Sequence, residues 1–455
     1  LDQYFLIFNI IRQAETAAMT NPDRASPPAP PRHRWKVLAA GVLANAAFSV
    51  AFSGIPMTAV VMRAGYRLDT PTLGLVLGLM GLGIALSELP WGLLTDRFGD
   101  RPVLLVGLIG TALALAAMAV WAAPAGTQVP GLGALSGGLV AVGLLGGSVN
   151  GASGRAVMRW FAEGERGLAM SIRQTAVPLG GGIGALLLPA LALHVGFAAL
   201  YAFLGALCAM AALLAAAWVR DPEPTSESAA PSAGASSRAT PLRDAQVWRI
   251  VAGIGVLCAP QFAVLSFGTV FLHDVGHAGL AATTATMVAV QLGAMAMRVW
   301  SGRWTDRRRN RPAYLRACAQ ASAALFAALA VVALAGDHGV LGPAALKAAM
   351  VATLALGGVC VSAWHGVAYA ELATRAGANQ AGTALGMANT AVFGVCFVTP
   401  SAIAHLVAWQ GWPLAWLAAA ACAWLAQRGL AAPAVRLPVR EAEGSPRPAA
   451  STPGR

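Results

Sequence analysis

Glu88, Arg173, Arg298 and His365 each stand in or at the edge of a long apolar run. If those runs lie in lipid, each charge costs about 2.5–3.5 kcal/mol to hold there, which makes every one a candidate for function. The chemistry open to them is ion binding and proton exchange. Arginine's planar guanidinium matches a carboxylate or nitrate with two parallel hydrogen bonds. A glutamate shielded from water can carry a proton, and a histidine can titrate near neutrality. Asn150, Gln174, Gln261, Gln291 and Asn389 are polar residues on neighbouring runs that could complete a binding site. Blander readings compete: a structural ion pair for Arg298 or Glu88, a surface-seeking Arg173, a hydrogen-bonded packing role for His365. Other chemistries lack their residues. There is no phosphate-cradling Gly-x-x-x-x-Gly-Lys-Ser/Thr, and no His-x-x-His or Cys-x-x-Cys pair. The cysteines are scattered through apolar runs and read as packing residues. No metal, cofactor or catalytic constellation is expected, so the chain reads as a non-enzyme.

The elements that must position these groups are helices in a bilayer. Of 455 residues, 57% are hydrophobic and 11% charged, more apolar surface than a soluble fold could hide. A bilayer core of about 30 Å needs about 20 apolar residues per helix. Twelve helices are predicted, at 36–62, 71–94, 102–123, 131–159, 167–193, 196–219, 247–273, 280–302, 312–335, 342–371, 381–408 and 412–429. They divide into two six-helix bundles, 36–219 and 247–430. The linker 220–246 is rich in Pro, Ser, Glu and Ala and cannot bury enough apolar surface to fold. Residues 1–35 and 431–455 read as polar tails. Within the first, 1–18 is either an upstream extension before Met19 or a short interfacial helix with Tyr4, Phe5, Phe8 and Ile11 on one side. No secretory signal precedes a cleavage site.

The net charge of +12 does not indicate nucleic acid, because the basic residues interrupt helices instead of forming a binding face. Of the Lys and Arg residues, only Arg63, Arg67 and Lys347 fall toward the outside in this topology. That bias places both termini in the cytoplasm, in a bacterial-type inner membrane. Asp274, with His273 and His277, is expected to be solvated at the outer mouth. Arg155 and Arg159 are expected to meet water or lipid head groups.

The chain is duplicated. Gly92-Leu-Leu-Thr-Asp96-Arg97-Phe-Gly99-Asp-Arg101-Pro102 returns as Gly302-Arg-Trp-Thr-Asp306-Arg307-Arg-Arg-Asn-Arg311-Pro312. Each copy separates two apolar runs. Near-constant offsets extend further: Asn150-Gly151 pairs with His365-Gly366, Gln174-Thr175-Ala176-Val177 with Asn389-Thr390-Ala391-Val392, and Glu88 with Arg298. Such offsets indicate parallel halves related by an axis along the membrane normal.

The Gly-x-x-x-Asp-Arg-x-Gly-x-Arg segment resembles the loop between helices 2 and 3 of the major facilitator superfamily, and its copy resembles the loop between helices 8 and 9. The resemblance spans roughly 35–430. It implies an all-α membrane protein of twelve helices in two pseudo-symmetric bundles, acting as a secondary transporter. Helices 2 and 11, and helices 5 and 8, would form the moving interface. Gly92, Asp96, Arg97, Gly99 and Arg101, with Gly302, Asp306, Arg307 and Arg311, would gate it. Gly99 permits the tight turn of the first copy; Asn310 lies near that place in the second, a departure from the pattern. Arg298, eight residues before Asp306 and so about 12 Å deeper, resembles the anion-binding arginine of nitrate, oxalate and monocarboxylate porters. Nitrate porters carry a second arginine where this chain has Glu88, which disfavours nitrate. The leading reading is a proton-coupled or exchange carrier, by alternating access, of a small monocarboxylate-like organic anion. Arg298, Arg173, Gln174, Asn150, His365, Asn389, Gln261 and Gln291 would bind it, and Glu88 and His365 would serve proton coupling. The partners implied are a small-molecule substrate, protons or a counter-substrate, and lipid, with the chain monomeric. A proton-driven multidrug or metabolite efflux carrier is the first alternative. A non-transporting membrane sensor is the second.

Overall fold

In the computed structural model, residues 33–126, 128–161, 166–220, 241–376 and 381–430 are described, with backbone alone at Asp96, Arg166–Leu168, Ser171 and Ala381. Both tails fall almost wholly outside these residues, as do linker residues 221–240. The end of the expected linker is folded, with a short 3-10 helix at Pro241–Arg243 and a spanning helix that begins at Ala245, where the Asp244 cap starts the apolar run. Among the described residues eleven stretches are long and apolar enough to cross a bilayer, and the last, Gly382–Leu430, contains two helices joined at Gly411. Gly411 has φ 79°, a left-handed angle that costs glycine nothing.

The helices are α1 (His33–Met57), α2 (Thr70–Phe98), α3 (Asp100–Trp121), α4 (Leu132–Gly146 and Ser148–Trp160) and α5 (Arg166–Gln174 and Ala176–His194). Then come α6 (Phe197–Trp218), α7 (Ala245–Asp274), α8 (Leu280–Arg308), α9 (Arg311–Asp337) and α10 (Pro343–Val361 and His365–Ala376). The 50-residue run Ala381–Leu430 supplies α11 before Gly411 and α12 after it. A short helix, Ala59–Gly65, links α1 to α2. Asp69 caps α2 by accepting from the Thr72 amide at 2.9 Å, and the bonds from Thr72 hold its carboxyl below the usual range.

Packing repeats between halves. In the first, α1 lies on α5, α2 on α4 and α3 on α6; in the second, α7 lies on α11, α8 on α10 and α9 on α12. The halves meet along two seams, α2 with α11 and α5 with α8. Two ends can be distinguished: a basic face carrying the repeated charged segments, and an opposite face carrying Arg63 and Asp274.

The charged segments are more helical than predicted. α2 runs on to Phe98 and α8 to Arg308, so Asp96 and Asp306 lie in last turns. A carboxylate there opposes the helix dipole, and Asp306 answers by pairing with Arg311 at 2.8 Å. Arg309, not Asn310, takes the place of Gly99: both are left-handed, with φ 51° and 89°.

At the opposite face the halves are closed. A Cβ on Gly74 would collide with Ala404 and the Pro400 carbonyl, and Cβ atoms on Gly78 and Gly81 would collide with the backbone at Phe397. Phe52 of α1 stacks on Phe262 of α7, with ring centroids 5.6 Å apart. Arg63 forks onto Asp274 at 2.6 and 2.7 Å, and His273 reaches the same carboxylate at 2.8 Å. Asp274 is therefore bound rather than solvated. At the basic face the seams are apart: a Cβ on Gly92, Gly302, Gly382 or Gly386 would meet nothing within 4 Å.

Candidate functional site

Both seams close down to one depth and part below it. At that depth lies a polar cluster drawn from six helices. Glu88 of α2 is 9% exposed and accepts from Asn389 Nδ2 of α11 at 2.9 Å. The Asn389 Oδ1 accepts from the Tyr369 hydroxyl of α10 at 2.8 Å. Asn150 of α4 and the Arg173 guanidinium of α5 lie beside the same carboxyl.

Across the cluster, Arg298 of α8 is 8% exposed. Its Nε donates to the Ser362 carbonyl at 3.3 Å and its Nη1 to the Gln174 carbonyl at 3.5 Å. His365 stands near it, stacked on Trp364 with ring centroids 3.8 Å apart. Tyr369 lies within electrostatic reach of both Arg298 and Glu88.

The two arginines differ in what they meet. Arg173 donates to Ser153 Oγ at 3.0 Å and to the Asn150 carbonyl at 2.6 Å, and it neighbours Glu88. Arg298 meets backbone carbonyls only, and no carboxylate pairs with it among the described residues. An interhelical hydrogen bond in a membrane contributes about 0.6 kcal/mol on average. Two of them do not offset the roughly 2.5–3.5 kcal/mol cost of the charge. Glu88 Oε2 and His365 Nδ1 are buried without a hydrogen-bond partner in this structure. The cluster therefore holds an uncompensated cation, an unused carboxyl oxygen and an unused imidazole nitrogen.

The structure thus brings together Glu88, Asn150, Arg173, Gln174, Arg298, His365 and Asn389. Gln291 lies elsewhere on the α5–α8 seam, against Gly181. Gln261 is half-buried on α7, and none of its described contacts joins it to the cluster. Tyr369, Ser153 and Ser362 were missed in the sequence. Tyr369 shares a helical face with His365, four residues earlier, which was the available signal.

The described gating side chains stay within their own halves. Arg101 donates to the Ala216 carbonyl of α6 at 2.9 Å, and Arg97 lies over the Phe98 ring. Arg311 bonds Asp306 and Thr374 of α10. The Asp96 side chain lies outside the described atoms. Arg155 and Arg159 do not simply face water or lipid: both reach Asp100, which is 2% exposed, at 3.4 Å. Among the described residues no group of His, Cys, Asp and Glu is arranged to hold a metal ion.

A family model described as Major Facilitator Superfamily matches residues 37–400. The chain belongs to the Major Facilitator Superfamily. Two uncharacterised MFS-type transporters of Mycobacterium tuberculosis, from strains CDC 1551/Oshkosh and H37Rv, are each 30% identical over 391 residues, covering 84% of this chain and 81% of theirs. A crystal structure of a bacterial homologue of the human lysosomal transporter Spinster, inward-facing and unoccupied, superposes with a TM-score of 0.60 at 14% identity. It covers 88% of this chain and 94% of its own, and it supports the fold. Membership brings secondary transport of a small molecule by alternating access, through twelve helices in two pseudo-symmetric bundles.

Proposed function

We propose that the chain carries a small organic anion of the monocarboxylate type, bound at Arg298 and coupled to a proton held at Glu88. The observation that carries this reading is the buried Arg298 guanidinium with no carboxylate partner among the described residues. Its Nη2 makes no hydrogen bond among the described residues, and a substrate carboxylate offers the matching fork. His365 and Gln174 flank that seat. Arg173 keeps the Glu88 side of the cluster positively biased while its own donors are held by α4.

Glu88 sits on the second seam, where its charge governs a contact between halves. Ionised, its oxygens accept strongly from Asn389, itself oriented by Tyr369. Protonated, that bond weakens and the α2–α11 seam is freer to part. Proton and anion would thus act on different seams of one carrier. Counter-substrate exchange fits the same site if Glu88 stays in one protonation state.

The basic face is assigned to the cytoplasm by the excess of arginine there, which puts both termini inside and the carrier in a bacterial inner membrane. Open at that face, the halves await closure by the charged segments. Asp96, Arg97 and Arg101, with Asp306, Arg307 and Arg311, would then reach across. A monomer contains the whole pathway.

The test is a thermal-shift screen of purified protein against monocarboxylates, sugars, amino acids and cationic drugs. A monocarboxylate should stabilise the wild type and not Arg298→Ala. Stabilisation by cations alone, unchanged in Arg298→Ala, would move the efflux reading ahead.

A further inference from the structure

α9 packs on α10 and α12 and hardly on α8. The gap between α8 and α9, floored by α10, is a laterally open groove of about 410 Å³ lined by Met297, Tyr314, Cys318, Ala321, Leu325 and Val359. Almost all of its surface is apolar. On α9 its residues follow helical spacing from Tyr314 to Leu325, eleven residues or about 16 Å of helix. That is the depth of one acyl chain from the membrane surface.

The groove's mouth at the basic face is built differently. Trp300 and Trp304 stack with centroids 5.8 Å apart, and Tyr314 lies 6.0 Å from Trp304. Arg308 lies over the Trp304 ring at 5.2 Å. Met297, Trp304 and Arg308 fall on one face of α8, so the cation stands directly above the apolar channel. Arg307, Arg308 and Arg309 are exposed, and no carboxylate pairs with any of them among the described residues. The one nearby acid with a described ion pair, Asp306, is taken by Arg311.

We infer that this groove is a binding site for an anionic phospholipid, with an acyl chain along α9 and the phosphate on Arg308. The order of groups matches a lipid read from head to tail: cations, then an aromatic belt, then an apolar slot. Aromatic rings are favoured at the head-group level, and basic pockets between helices select anionic head groups. The site lies on the outer surface of the second bundle, away from the Glu88–Arg298 cluster, and does not depend on what the carrier moves.

Native mass spectrometry of the full chain, exchanged with equal amounts of palmitoyl-oleoyl phosphatidylglycerol and phosphatidylcholine, tests this. The wild type should retain phosphatidylglycerol preferentially. Arg308→Gln should lower that retention about fivefold and lower phosphatidylcholine less, because choline already offsets its phosphate charge. Arg243→Gln removes the same charge from an exposed position before α7 and should leave retention as in the wild type. Ala321→Leu narrows the slot and should lower retention of both lipids. Equal retention of the two lipids by the wild type would overturn the inference. So would equal losses in the Arg308 and Arg243 variants, or full retention in Ala321→Leu. Displacement of the lipid by glycerol phosphate without acyl chains would also overturn it, because recognition would then need no groove.

Discussion

The two seams between the bundles reach the same depth with opposite chemistry. On the α2–α11 seam an acid meets a side-chain amide, and the amide is held in turn by a tyrosine. On the α5–α8 seam a base meets backbone carbonyls. The positions are related: Glu88 matches Arg298, and Asn389 matches Gln174, at the offsets of the internal repeat. Duplication therefore set where the contacts fall, and later divergence set what they answer to. A carboxyl answers to protons, and an unpaired guanidinium answers to anions. The two seams need not carry the same load, and substitutions on each should separate proton from substrate.

The largest effect is expected at Glu88. Glu88→Gln keeps a hydrogen-bonding side chain but cannot bind or release a proton. In reconstituted vesicles it should abolish accumulation driven by a pH gradient while counterflow exchange continues. Exchange needs only the loaded carrier to reorient, whereas concentrative uptake needs the proton site. Wild-type accumulation in Glu88→Gln would remove the acid seam from the coupling scheme.

Next comes Arg298→Lys, which keeps the charge and loses the planar fork. Loss of one charge-assisted hydrogen bond amounts to about 1.5–3 kcal/mol, or roughly 10- to 150-fold in anion affinity. Exchange and accumulation should fall together, unlike in Glu88→Gln. Unaltered affinity, measured by calorimetry, would mean the fork is not used.

A smaller effect is expected at Tyr369. Its hydroxyl orients the Asn389 amide so that the NH₂ faces Glu88. Tyr369→Phe removes one interhelical bond, about 0.6 and at most about 1.7 kcal/mol in membranes. Spin labels across the α2–α11 seam should show the open population rising about threefold. The same substitution should leave distances across α5–α8 unchanged. A shift on both seams would show that the seams are not separable.

Much of this was legible in the sequence, and the limits have physical causes. Apolar runs located twelve helices because lipid imposes length and composition. The ends of α2 and α8 were set short because Asp and Arg in a last turn look like loop. The repeat offsets brought Glu88, Arg298, Gln174 and Asn389 into view, since duplicated helices keep their register. Tyr369 was passed over despite its four-residue spacing from His365, because an aromatic on a membrane helix reads as packing. Asp100 with Arg155 and Arg159, and Arg63 with Asp274, were also missed. Such pairs depend on how helices and bundles dock, which no single-helix periodicity encodes.

The smallest effect concerns the closed end that both seams share. Arg63 and Asp274 form a short, forked pair, yet their side chains are 25% and 28% exposed. Pairs of that kind contribute about 0–1 kcal/mol because water screens them. The same face is also sealed by the backbone contact of Gly78 with Phe397 and by the Phe52–Phe262 stack. Packing should therefore hold the end shut, with the ion pair only biasing it. Arg63→Gln and Asp274→Asn should each raise the population open at that face by only about twofold. The double variant should add little beyond either single one, since each already removes the pair. Swapping the charges, Arg63→Asp with Asp274→Arg, should restore most of the closed population. Full opening in Arg63→Gln alone would make the ion pair the lock, and the tight glycine seam would then be a consequence of closure and not its cause.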